Sequence, residues 1–343
     1  MFAIFCSIQV NELTAKSFAN LGLSSQEFSS VNTNTILEFP KDHGSHPSFK
    51  TEWWYVTANL ENENGEYFGV QWTLFRSAIK NSSTDSGWES SQLWMGHSAV
   101  TTITSHFFSE KFARGGIGQA GVKLFPFEAW IDDWSFSGDW DSTLLIASGD
   151  QFSYKLNLTS KMPLIFHGSN GISKKSHSGT NSFYYSQPFF DVNGFLTING
   201  IKHKVVGKAW GDREWSSQLL DETQIGWNWL GLHFDDGSKL MLFEVKSDGG
   251  NNFLSGTKIS KHGTYETLQA EDFSLLAGSS ENSESEAITL DWNIKIPKYN
   301  IYITVRPLNR NSYMKTLIPY WEGPVSFTGT HNGVGFLEVT MTE

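Results

Sequence analysis

After residue 35 apolar and polar positions alternate with a period of two, the pattern of strands that bury one face. Four of these runs are interrupted by a two-residue turn signal. "NLENENGEYFGVQWTLF" (59–75) holds Asn64-Gly65, "FLTINGIKHKVVG" (195–207) holds Asn199-Gly200, "GLHFDDGSKLMLFEV" (231–245) holds Asp236-Gly237 and "FTGTHNGVGFLEV" (327–339) holds Asn332-Gly333. Such dipeptides between apolar runs mark hairpins, because Asn, Asp and Gly tolerate the left-handed backbone of tight turns. A 3.6-residue period shows only over 12–30, which predicts one short helix at most.

Two of the hairpins echo each other. Gly65 and Gly237 lie about 172 positions apart, each preceded by a tryptophan (Trp54, Trp227) and followed by an apolar strand ending in Phe (Phe75, Phe243). The pattern predicts an all-β chain of two related antiparallel units joined near 213–225. The boundaries read as a leader over 1–34, a first unit over 35–215 and a second over 216–343. Polar loops fall at 80–91 and 278–287. The Gly/Ser-rich stretch 167–182 ("HGSNGISKKSHSGTNS") is long enough to be a functional mouth or lid, or a disordered insert.

Composition narrows the function classes. The 343 residues are 39% hydrophobic and 18% charged, with 14 Trp, 10 Tyr, 26 Phe and 31 Gly, which fits a large β core or an aromatic-lined cavity. A net charge of −11 argues against a nucleic-acid partner. No apolar run reaches the ~20 residues of a membrane helix, so no membrane insertion is expected. Cys6 is the single cysteine, so no intrachain disulfide forms. "MFAIFCSIQV" is apolar without a basic start and reads as the tail of a truncated signal peptide or as a disordered leader; with the first reading the protein is periplasmic or secreted. Oligomeric state leaves no mark in the sequence.

Known catalytic templates are missing. There is no HExxH, no zinc-type His/Cys spacing, no GxSxG elbow and no phosphate loop. His43 and His46 read as solvent-facing loop residues, so no metal and no cofactor is predicted. What remains is acid chemistry among aromatics. In "KAWGDREWSS" (208–217), period-2 geometry puts Lys208, Trp210, Asp212 and Glu214 on one face and Gly207, Ala209, Gly211 and Arg213 on the other. In an aromatic cavity, desolvation would raise the Asp212 pKa and make it a general acid near neutral pH. The bland alternative is a strand end laced by ion pairs with Arg213.

Other segments repeat the theme. "KTEWWYVTANL" (50–60) sets Glu52 and Trp54 opposite Trp53 and Tyr55. His97 sits in "MGHSAVT" and His167 in "MPLIFHGSNG", while "GWNWLGLHF" carries Trp227, Trp229 and His233. A lone strand histidine is more often a hydrogen-bonded core residue than a catalyst.

The pieces "EWWYVTANL", "GVQWTLFR", "MGHSAVT", "SKMPLIFHG", "FYYSQP", "GKAWGDREWSSQ", "GWNWLGLHFDDGSKLMLFEV" and "YWEGPVSFTGTHNGVGFLEVT" together resemble the AttH-like family, which is grouped with carotenoid 1,2-hydratase (hydroxyneurosporene synthase). They span about residues 38 to 340. The resemblance implies two tandem antiparallel lipocalin-like (calycin-type) β-barrels with little helix. It also implies chemistry on an isoprenoid double bond, since the hydratases protonate such a bond and add water without a cofactor. Their acid step is linked to an aromatic-x-Asp unit. Here Trp210-Gly211-Asp212 stands at that place, with Trp where Tyr is expected.

Three classes of function follow. The first is binding of a hydrophobic isoprenoid or lipid-like small molecule, with acid-type hydration or isomerisation of a double bond. In it Asp212 is the proton donor and Glu52, His97 or His167 orients water. Trp53, Trp54, Tyr55, Trp210, Trp215, Trp227, Trp229 and His233 are the candidates for the ligand-binding surface. The second class is a carrier without catalysis. The third is a carbohydrate-binding or carbohydrate-active protein, which predicts tryptophans facing solvent in an open groove.

Overall fold

The computed structural model describes residues 27–81, 87–218, 220, 223–278 and 288–340. The leader as far as residue 26, with most of the helix expected over 12–30, lies outside the described residues, as does nearly all of the loop at 278–287. Among the described residues the only helical elements are one-turn 3-10 segments such as Lys41–His43 and Pro297–Tyr299.

The first sheet contains thirteen strands: β1 (Thr51–Asn62), β2 (Tyr67–Ala78), β3 (Gln92–Thr101), β4 (His106–Arg114), β5 (Ala120–Leu124), β6 (Phe127–Ile131), β7 (Trp134–Asp139), β8 (Ser142–Ser148), β9 (Phe152–Thr159), β10 (Ile165–Phe166), β11 (Ile172–Lys174), β12 (Asn181–Ile198) and β13 (Ile201–Ser216). The second contains ten: β14 (Gln224–Phe234), β15 (Lys239–Ser247), β16 (Phe253–Ile259), β17 (Tyr265–Leu268), β18 (Ser274–Ala277), β19 (Trp292–Ile296), β20 (Ile301–Pro307), β21 (Tyr313–Met314), β22 (Tyr320–Gly329) and β23 (Gly333–Thr340). Both share one plan. The first strand pairs antiparallel with the last, β1 with β13 and β14 with β23, and a meander runs outward on each side. In the first sheet β6 also reaches across to β2, β3 and β4. Each sheet thereby curls into a nearly closed or half barrel, the lipocalin-like arrangement.

The turn signals carry this plan. The Asn64-Gly65, Asn199-Gly200 and Asp236-Gly237 hairpins join β1 to β2, β12 to β13 and β14 to β15, and the fourth joins β22 to β23. At Asn199 (φ 49°) and Gly200 (φ 80°) both residues take the left-handed conformation that a twisted two-residue turn requires.

Peripheral strands bury alternate residues; β9 is a regular example. β1 and the second half of β13 are buried on both faces, because the outer face of the first barrel is covered by the second. Inside the first barrel lie Trp54, Trp72, Trp134, Phe136 and Phe190, and inside the second Leu230, Leu242, Ile294 and Trp321. Between the barrels a third cluster forms from Tyr55, Tyr184, Trp210, Trp229, Met241 and Phe336. Close approach is made possible by Gly69 of β2, where a Cβ would lie 2.5 Å from the Pro324 ring of β22. Asn59 clasps the same junction, its Nδ2 donating to the Gly335 carbonyl at 2.9 Å.

The interior of the first barrel also holds charge. Glu52, fully buried, accepts ion-pair bonds from Arg76 and from Arg213, whose guanidinium lies 3.8 Å from the centre of a Trp54 ring. Arg76 further donates to the carbonyls of His46 (3.0 Å) and Phe49 (2.8 Å). The Arg213 and Arg76 charges hold the Glu52 carboxyl well below the usual carboxylate range against its desolvation.

Candidate functional site

A predominantly apolar cavity opens between the barrels, enclosing about 1030 Å³ of empty space with its mouth included. It is built on the outer faces of both sheets, while both barrel interiors are filled by side chains. Strand alternation explains its walls. β1 turns Trp53 and Tyr55 outward to the cavity, β13 turns Asp212 and Glu214, β14 turns Trp227 and Trp229, and β23 turns Glu338 and Thr340. His97 on β3 and Tyr320 on β22 complete the far side. Loop 167–182 brings in Lys175, whose ammonium pairs with Glu214 at 2.8 Å and lies 4.7 Å from the Tyr184 ring centre and 4.3 Å from that of Phe243.

Asp212 is almost wholly buried and, among the described residues, carries no ion pair. Tyr184 Oη donates to its Oδ2 at 2.7 Å, Trp210 Nε1 donates to Oδ1 at 2.6 Å, and Ser186 Oγ donates to the same Oδ1. Of these donors, Ser186 stands directly opposite Asp212 on β12; on the other side Asp212 faces Tyr55 of β1. Burial pushes the Asp212 carboxyl up to about 7; the three donors oppose the rise and the Glu214 charge adds to it. His167 stands behind Ser186, with Nε2 at 2.6 Å from Ser186 Oγ and Nδ1 at 2.8 Å from Thr257 Oγ1. Burial, helped by the Lys175 charge, pushes its pKa well down, so the ring is neutral at neutral pH.

The opposite wall repeats the arrangement. Glu338 stands on β23 directly across from Trp229 of β14 and from Glu322 of β22. Trp227 Nε1 donates to its Oε1 at 2.6 Å. Burial pushes the Glu338 carboxyl up to about 7, opposed by the Trp227 bond and reinforced by the charges of Asp212 and Glu214. Glu322 accepts a 2.5 Å bond from Tyr55 Oη at Oε1 and also interacts with the Tyr320 hydroxyl; burial, then the Glu338 charge, pushes it well above the carboxylate range, opposed by the two phenols. Tyr320 Oη lies 2.9 Å from His97 Nδ1, and His97 Nε2 lies 3.0 Å from Glu110 Oε1. Since a carboxylate only accepts, Glu110 fixes the proton on Nε2, and Tyr320 donates its hydroxyl to Nδ1.

Of the residues singled out in the sequence, Trp53, Tyr55, His97, Asp212, Trp227 and Trp229 meet on the cavity wall. Trp210 and His167 stand behind Asp212, one bonded to it and the other reaching it through Ser186. Glu52, Trp54 and Trp215 face the other way, into the first barrel; Glu52 is held by Arg76 and Arg213, and Trp215 stacks on His46 at 4.0 Å. Position on the inner face of β1 and β13 therefore corrects the expectation that these three line or serve the cavity. His46 itself, expected to face solvent, is half-buried in that cluster, and His43 is buried. His233 packs edge-on to Trp210, its ring 5.9 Å away, off the cavity wall. Tyr184, Ser186, Tyr320, Glu322 and Glu338 were missed. The available signal was a lone acid in an apolar strand, as in "YWEGPV" and "GFLEVT". The junction tryptophans are buried or half-buried, so they line no open groove of the kind a carbohydrate reading requires.

Comparison with known proteins follows the same lines. A family model described as AttH-like matches residues 30–342. The crystal structure of a protein described as AttH from Nitrosomonas europaea is 29% identical, with a TM-score of 0.81, and the match covers 92% of this chain and 100% of that one. Kievitone hydratase from Nectria haematococca matches at 12% identity and a TM-score of 0.66, over 94% of this chain and 98% of its own. CghA in complex with Sch210972 matches at 11% identity and a TM-score of 0.57, over 96% and 98%. No curated protein matches the sequence.

Proposed function

The chain belongs to the AttH-like family, and from that premise and the cavity's geometry we propose that it binds a hydrophobic, isoprenoid- or lipid-like molecule between its barrels. Asp212 then protonates a double bond of the ligand, leading to hydration or isomerisation without a cofactor. The observation that carries this reading is Asp212 itself: a buried carboxyl, free of any cation among the described residues, at the edge of an apolar, aromatic-walled cavity. Such a group holds a proton near neutral pH and releases it into a site where water does not compete.

The bonds from Tyr184, Ser186 and Trp210 stabilise the carboxylate left after proton transfer, which strengthens the acid at the moment it acts. The faces of Trp53, Trp229 and Tyr55 stabilise the cation formed on the ligand. Tyr320, whose hydroxyl meets His97 and Glu322, presents an oxygen that accepts a hydrogen bond from the water to be added. The hydratase among the structural neighbours supports the choice of hydration.

Farnesol, an acyclic isoprenoid, supplied in water labelled with oxygen-18 tests the proposal. The wild type is expected to form an alcohol carrying the label. Asp212→Asn is expected to keep binding farnesol while forming product at least ~100-fold more slowly. Labelled product at the wild-type rate from a correctly folded Asp212→Asn overturns the assignment. Farnesol binding without product in the wild type identifies a carrier.

A further inference from the structure

The wall facing Asp212 carries a second carboxyl in a matching setting. We propose that Glu338 is a second catalytic group of this cavity, the base that removes the proton from the water added to the ligand. The inference rests on the acid role of Asp212 proposed above.

Four observations point to it. First, Asp212 and Glu338 have similar settings in the two barrels. Each lies on the last strand of its sheet, opposite an aromatic residue of the first strand (Tyr55 and Trp229), and each accepts a bond from an indole N–H (Trp210 and Trp227). Secondly, both line the same cavity. Thirdly, no cation sits on Glu338 among the described residues; Lys175, the cation in the cavity lining, is paired with Glu214 beside Asp212. Fourthly, Tyr320 stands diagonally from Glu338 across the β22–β23 pair, because Tyr320 is opposite Thr340 and Glu322 is opposite Glu338. A water placed between them donates one hydrogen to Tyr320 Oη and the other to the Glu338 carboxylate. The facing Glu322 has phenol partners of its own, Tyr55 and Tyr320.

The step balances. The Asp212 O–H bond breaks and a C–H bond forms, leaving an Asp212 carboxylate and a carbocation. The water oxygen forms a C–O bond, and its proton passes to the Glu338 carboxylate. The net change is one alkene and one water to one alcohol. Return of the proton from Glu338 to solvent and from solvent to Asp212 resets the site.

The test uses farnesol with wild type, Asp212→Asn and Glu338→Gln in deuterated water. Gln keeps an oxygen for Trp227 Nε1 and cannot take a proton at neutral pH. Without the base, a cation made by Asp212 returns a hydrogen to the Asp212 carboxylate. Glu338→Gln is therefore expected to lose alcohol formation by at least ~100-fold while still washing deuterium into recovered farnesol. Asp212→Asn is expected to lose both. Unchanged alcohol formation in Glu338→Gln, or loss of both signals together, overturns the base assignment. Absence of both signals in the wild type overturns the acid reading instead. In that case infrared difference spectra, which need no ligand, still judge Glu338: wild type minus Glu338→Gln must show a carboxyl titrating near pH 7, and a carboxyl already ionised at pH 5 overturns the inference.

Discussion

Asp212 and Arg213 are neighbours in sequence and have opposite electrostatic surroundings. Alternation sends Arg213 into the first barrel, where it neutralises Glu52, and sends Asp212 out to the junction, where only neutral donors meet it. The charge pair visible in "GDREW" is thus not a pair at all. A carboxyl kept without a cation weakens the fold at neutral pH. The unfolded state gives up this proton near pH 4, the folded state only near pH 7, so between those values the folded state holds the extra proton and stability from this group falls as pH rises. Asp212→Asn is expected to unfold at a higher temperature than the wild type at pH 8, by about 1 kcal/mol or more, with the difference closing towards pH 4. Thermal unfolding across that range reads it, and an Asn variant less stable than the wild type at pH 8 refutes it. Activity follows a different curve. With Asp212 needed protonated and Glu338 needed ionised, and both pushed up to about 7, the rate is expected to peak in a narrow bell near pH 7. A plateau reaching pH 9 excludes Asp212 as the acid.

At the scale of elements, β1 and β13 are two-faced strands, one face a barrel interior and the other a site wall. The Glu52–Arg76–Arg213 cluster locks the inner faces of β1, β2 and β13 together and leaves no water-accessible charge behind. Removing one partner strands the others: Glu52→Ala leaves two buried guanidinium groups unpaired and is expected to cost about 3–5 kcal/mol. Denaturant unfolding measures this, and a loss under ~1 kcal/mol means the cluster has relaxed into solvent. The same strands mark how far the sequence can be read. Hairpins were legible because Asn-Gly and Asp-Gly force a local backbone, and so was the sharing of faces, because strand period is fixed. Which face of β1 turns inward was not, since Trp53, Trp54 and Tyr55 are alike in bulk and apolarity; Trp54 fills the first barrel while its neighbours line the cavity. Glu338 and Glu322 escaped for a different reason. Their significance lies in Tyr55 and Asp212, more than a hundred residues earlier, and no local pattern encodes contact across a barrel junction.

Taken as a whole, the molecule spends both barrel interiors on packing and places its cavity on their touching outer faces. Neither barrel holds the site alone: Asp212, Tyr184 and His97 come from the first, Trp229, Tyr320 and Glu338 from the second. The distance between the barrels is then a determinant of the site, and Gly69 sets it. A methyl group added there meets the Pro324 ring at 2.5 Å, and neither a proline ring nor a central strand moves aside easily. Gly69→Ala is expected to lower stability by about 1–3 kcal/mol and to weaken farnesol binding, while each barrel keeps its β structure by far-ultraviolet circular dichroism. The bond from Asn59 to the Gly335 carbonyl crosses the same seam, so Asn59→Ala is expected to act in the same direction and more mildly, by about 1 kcal/mol. If Gly69→Ala binds farnesol as the wild type does, the cavity is set within one barrel and not by the seam.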